Sequence, residues 1–80
     1  MEIVIGAHAL ERMLERSVTI SDIQYALHRY SMSFSTGDES SQLRAMFPDG
    51  RVLKIWIGGG VPFTDPVIIR TVAWMEPIDE

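Results

Sequence analysis

Eighty residues carry seven Lys or Arg against eleven Asp or Glu, a net charge of −4 and no cysteine. That length fits a single domain, residues 1–80, whose core is near the minimum a lone fold needs, and the 46% apolar share excludes a disordered chain. With no cysteine there is neither a disulfide frame nor a thiolate metal site, and the acidic balance weighs against broad, non-specific nucleic-acid binding.

In chain order, the β-branched run Met1-Glu2-Ile3-Val4-Ile5 predicts a short strand ended by Gly6, which opens a first helix reaching Arg16 and Ser17. At about 100° per residue, Ala9, Leu10, Met13 and Leu14 share the side turned to a core. His8, Arg12 and Arg16 form one stripe near the opposite edge. The second helix is announced by Ser21-Asp22-Ile23-Gln24, which fits a capping box, with Ile20 and Tyr25 suited to a hydrophobic staple. Ile23, Ala26, Leu27 and Tyr30 then give one buried stripe, Asp22 and Arg29 suit the helix dipole, and His28 falls outside the stripe as a surface group.

After Tyr30 the period drops from about 3.6 to about 2. Residues 31–35 predict a half-buried strand and residues 36–41 a polar turn. Leu43, Ala45 and Phe47 next alternate with Gln42, Arg44 and Met46. Pro48-Asp49-Gly50 is strong turn chemistry, and residues 51–57 return as a strand. Gly58-Gly59-Gly60 reads as a mobile hinge, followed by an irregular loop with an exposed Phe63. Pro66 can precede a strand but not sit inside one. Residues 67–74 form the last and most apolar strand, expected at the centre of the sheet, and residues 76–80 an acidic tail in which Pro77 prevents pairing.

This order predicts an α+β domain, with two N-terminal helices packed on one face of a twisted, mainly antiparallel sheet of four to five strands. The helical half is 6–30, the sheet half 31–75 and the tail 76–80. Leu43, Ala45, Phe47, Leu53, Ile55 and Ile57 belong with the helices, so Arg44, Lys54 and Trp56 share the opposite face. For the last strand both alternate sets are apolar enough to be buried. If Arg70 and Trp74 join the open face, it carries three cations and two indoles. That pattern suits RNA, whose phosphates meet charge and whose unstacked bases meet flat rings, and it equally suits a protein interface, where Trp and Arg are enriched.

His8-Ala9-Leu10-Glu11-Arg12-Met13 with Arg16, followed by Ile20-Ser21 and Asp22-Ile23, resembles the opening pattern of the domain of unknown function numbered 4258. The Asp49-Gly50-Arg51 turn and the closing apolar strand fall where that pattern expects them, though only the first helix is specific. Ser17 stands where the family usually has Gly, which puts it near the left-handed region, and the triple-glycine segment is longer than usual. The resemblance implies kinship with small RelE-like and barnase-like toxin ribonucleases, on fold-level similarity more than on demonstrated chemistry. Carried over residue by residue, it points to His8, Arg12 and Arg16.

The function expected from this is a toxin-like endoribonuclease in which the RNA 2′-hydroxyl attacks its own phosphate without a metal. His8 is the group titrating near neutrality, Arg12 and Arg16 stabilise phosphoryl charge, and Arg44, Lys54, Trp56 and Arg70 hold substrate. No cofactor is called for, and His8 and His28 lie on different helices, so no metal is expected. RNA and an antitoxin or other protein are the implied partners. The alternative is a non-enzymatic protein-interaction or dimerisation module, in which His8, Arg12 and Arg16 fasten the first helix to the sheet or tail and exposed indoles form a homodimer or partner-binding surface. A major-groove DNA binder fits less well, since neither helix presents a run of basic and amide side chains. No apolar run nears the roughly 20 residues of a membrane helix and no signal pattern opens the chain, so the cytoplasm is the expected location.

Overall fold

Among the described residues seven elements follow one another: β1 Ile3–Ile5, α1 Ala7–Glu15, α2 Ile20–Arg29, β2 Met32–Gly37, β3 Ser40–Met46, β4 Val52–Gly58 and β5 Val67–Trp74. The computed structural model describes residues 1–75, and the predicted acidic tail at 76–80 lies outside them. The strands form one open sheet in the order β1-β5-β4-β3-β2, with β1 parallel to β5 and every other pair antiparallel. Both helices lie on one face, α1 over β5 and α2 over β3 and β4. The fold is therefore α+β, as expected. The central strand is β4 rather than β5, because the last strand is flanked on its outer side only by the three-residue β1.

Strict alternation places Leu43, Ala45, Leu53, Ile55 and Ile57 against the helices, all fully buried, with Phe47 packed at their edge. On β5 neither of the two apolar sets is buried whole. Val67 and Ile69 from one and Val72 from the other enter the core, and Trp74 packs against it. The cause is a register shift: Trp56 faces Thr71 while Ile57 faces Ile69, so Arg70 is skipped and the strand changes phase there. The bulge sends Arg70 to the open face and Trp74 to the helical one, which separates two residues the alternation alone would have joined.

The second helix starts two residues before the predicted cap. Thr19 is the N-cap: its hydroxyl accepts from the Asp22 amide at 3.1 Å and its amide donates to the Asp22 carboxylate at 2.9 Å. Val18 and Ile23, the positions flanking that box, are both buried. This apolar pair fixes the start, and Ser21 is left inside the first turn. Ile23, Ala26 and Leu27 are buried, Tyr30 packs against the core and His28 is exposed, as the periodicity implies.

The first helix is rolled relative to the expected orientation. Ala9 and Met13 are buried, but Leu10 and Leu14 face solvent at 49% and 76% exposure. The roll turns the Arg12 and Arg16 side towards β5. Beyond Ile69, β1 no longer pairs with that strand, and the Arg16 guanidinium donates to the part-buried Val72 carbonyl. In return the Trp74 indole N–H donates to the Arg16 carbonyl at 2.7 Å. The helix exit is a Schellman turn: the Val18 amide donates to the Met13 carbonyl at 2.9 Å, both side chains are buried, and Ser17 takes φ +55°.

Three loop expectations change. The β2–β3 turn is only Asp38 and Glu39, both at positive φ after Gly37, so both strands run further than the polar run suggested. Gly58 ends β4, and the Gly59 amide and carbonyl are bound by the Glu39 carbonyl and the Ser41 hydroxyl, so this segment is anchored rather than a hinge. Phe63 is half-buried against Tyr30, ring centres 5.6 Å apart, instead of exposed.

Candidate functional site

None of the five strands contains an Asp or Glu, and three of the chain's seven basic side chains stand on their open face. Pairing fixes their rows. Met32, Arg44, Lys54 and Ala73 follow one another across β2, β3, β4 and β5, and Phe34, Gln42, Trp56 and Thr71 form the next row. Arg44 and Lys54 are thus direct cross-strand neighbours of like charge, an arrangement that costs stability in a sheet. Arg70 completes the set, its guanidinium donating to the Ser40 hydroxyl at 2.6 Å, with Gly58 beside it contributing no side chain to block the path.

The partners of these cations are neutral. Arg44 Nε donates to the Gln42 amide oxygen at 2.8 Å and its guanidinium lies 5.1 Å from the Phe34 ring centre. Lys54 Nζ sits 5.5 Å from the Trp56 ring centre. Among the described residues the salt bridges are Arg12–Glu15 and Arg51–Asp49, neither on this face. Polar residues Ser40 and Gln42, which hold the two guanidiniums, are themselves buried. Sequence reading missed that role, although both sit at the polar alternate positions of β3. Large apolar side chains surround the cations: Val4, Met32, Phe34, Met46 and Ile68 are all exposed.

The residues of the α1 motif stand in the helical layer, on the other side of the sheet. His8 is exposed on the first turn and makes no side-chain hydrogen bond among the described residues. Arg12 is paired with Glu15 at 2.6 Å, and Arg16 is committed to the Val72 carbonyl. The expected catalytic set (His8, Arg12, Arg16) and the expected substrate-binding set (Arg44, Lys54, Trp56, Arg70) are therefore not brought to one place. Among the described residues one surface hollow lies between β1 and the C-terminal half of α2 and another between β2 and residues 59–61, and none of the seven lines either.

Trp74 belongs to neither set. Its ring packs edge-on to Phe47 at 5.4 Å, Phe47 meets Tyr25 at 4.6 Å, and the Arg51 guanidinium lies 4.2 Å above the indole. Arg51 is held in turn by Asp49, whose carboxyl is pushed below the ordinary carboxylate range by the Arg51 amide and then by its guanidinium. No cluster of His, Asp or Glu fit to hold a metal occurs among the described residues, and no helix there is long and apolar enough to cross a membrane. No protein-family model matches the chain, and no curated protein or solved structure matches it either.

Proposed function

We propose that the open sheet face binds a single-stranded polyanion, RNA, through Arg44, Lys54 and Arg70 with Phe34 and Trp56 as ring surfaces. The observation that carries this is uncompensated charge: in a chain of net −4, three cations share one face of acid-free strands, each against a neutral partner. A phosphate entering between Arg44 and Lys54 would relieve their mutual repulsion, and flat rings beside it accept unstacked bases of any sequence. The proposal stops at binding. Among the described residues the strands carry no His, Asp or Glu, and His8 lies in the other layer, so the proposal assigns no general base to this face.

A second reading, a protein-interaction module that takes an acidic and apolar partner surface such as an antitoxin, is favoured by the five exposed apolar side chains around the cations. One titration separates the readings. A fluorescein-labelled single-stranded RNA is followed by anisotropy over a range of salt, and each sample is then run on a denaturing gel. Three contacted phosphates give a slope of log affinity against log salt of about −2, at about 0.7 per phosphate. Intact RNA with that slope supports binding without chemistry. No change in anisotropy at high protein concentration overturns RNA in favour of a protein partner. Cleavage abolished by His8→Ala restores the endoribonuclease expectation and removes this one.

A further inference from the structure

Phe34, Gln42 and Trp56 are direct neighbours across β2, β3 and β4, so the two rings stand two strand spacings apart, about 10 Å, with Gln42 between them. The glutamine is only 8% exposed, and its side chain is held in one orientation. Arg44 Nε donates to its Oε1 at 2.8 Å. A guanidinium offers N–H donors and no acceptor, so the amide oxygen must face Arg44 and the NH2 group must point elsewhere. Among the described residues Nε2 makes no hydrogen bond, and no buried side-chain nitrogen or oxygen there is left unpaired. Nε2 therefore reaches the surface in the row of the two rings. It is a donor that cannot be exchanged for an acceptor without breaking the Arg44 bond.

Stacking on Phe34 and Trp56 accepts any base, but a fixed donor does not. Uracil carries two exocyclic carbonyl oxygens, each an acceptor. Adenine carries an exocyclic amine and no carbonyl, and the ring-nitrogen acceptors on its Watson–Crick and Hoogsteen edges both lie beside that amine. An N–H fixed against the amine sets donor against donor, and a polar group left unpaired in a desolvated contact is costly. We infer that Gln42 is the base-selecting residue of the open face, and that it favours uracil over adenine by donating from Nε2 to a base carbonyl. The inference rests on the RNA reading of that face and adds a preference to it.

The test is the ratio of affinities for short fluorescein-labelled oligo(U) and oligo(A), read by anisotropy at one low salt concentration. The parent is expected to favour oligo(U). Gln42→Met keeps the length of the side chain and removes the donor. It should lower the ratio by about three- to tenfold, the worth of one hydrogen bond, chiefly through weaker oligo(U) binding. Gln42→Glu still offers Arg44 an oxygen but points an acceptor outward, so its ratio should fall below that of Gln42→Met even as the added charge weakens both ligands. A residue that merely holds Arg44 in place would lower both affinities together and leave the ratio unmoved. A parent with no preference for oligo(U) overturns the inference whatever the variants do. So do equal ratios in all three proteins, and either result leaves the RNA reading standing. Failure of the parent to bind both oligonucleotides at high protein concentration overturns the two together.

Discussion

The two tryptophans lie on opposite sides of one sheet, and the cations near them are used in opposite ways. Around Trp74, Arg51 is paired with the Asp49 carboxylate, and Arg16 and the indole N–H are spent on backbone carbonyls that tie α1 to β5. On the open face Lys54, Arg44 and Arg70 meet an aromatic ring, an amide and a hydroxyl, none of which carries a negative charge. A cation spent across elements, as Arg16 is, fastens them together. Uncompensated ones leave a field outside the molecule, where a ligand can complete it. Basic residues are thus read better by what answers them than by how they are spaced.

The sharpest contrast is between the rings themselves. Trp74→Ala removes a large ring packed on Phe47 together with a helix-to-strand hydrogen bond, and is expected to cost about 3–5 kcal/mol in urea unfolding. Trp56→Ala, on the half-buried open face, should cost less than about 1 kcal/mol. Equal losses would dissolve the distinction. Next in size is Arg16→Ala, expected to lose about 1–3 kcal/mol through the orphaned Val72 carbonyl, against under about 1 kcal/mol for Arg70→Ala. The same unfolding curves check both.

Much of the architecture was legible in the sequence. The α+β class, the stripe of α2 and the inward set of β3 and β4 follow from periods of about 3.6 and about 2. Other features depend on contacts that no local pattern carries. The β5 bulge at Arg70 arises where β4 and β5 pair, so alternation could not choose between the two apolar sets. Leu10 and Leu14 look inward on a helical wheel, yet α1 is rolled by the Arg16 and Trp74 bonds across 56 and 58 residues of chain. For the same reason the His8, Arg12 and Arg16 stripe, genuine on the wheel, does not become a pocket. On the open face the grouping of Arg44, Lys54 and Trp56 could be read from alternation, whereas the buried Ser40 and Gln42 that hold its guanidiniums could not.

Two smaller effects sharpen the picture of the fastened side. Ser17 occupies the left-handed region at the end of α1, so Ser17→Gly should raise stability by about 1 kcal/mol, with the melting temperature as the readout. No gain would mean that the turn is relaxed as it stands. Asp49 supplies the pH dependence. Its folded carboxyl titrates below the ordinary range because the Arg51 amide and guanidinium donate to it. Its contribution is therefore present above the unfolded carboxylate pKa and fades as pH falls through the lowered value. Melting temperatures of Asp49→Asn and the parent should converge towards strong acid and separate slightly at neutral pH. Parallel curves would contradict that assignment.

The division between fastening and free cations is tested most directly by RNA affinity in two double variants at one low salt concentration. Lys54→Glu with Arg70→Glu should abolish the anisotropy change while far-UV circular dichroism stays that of the parent. His8→Ala with Arg12→Ala should leave affinity within a factor of two. The reverse ranking, with α1 required for affinity and the sheet face indifferent, would contradict the account.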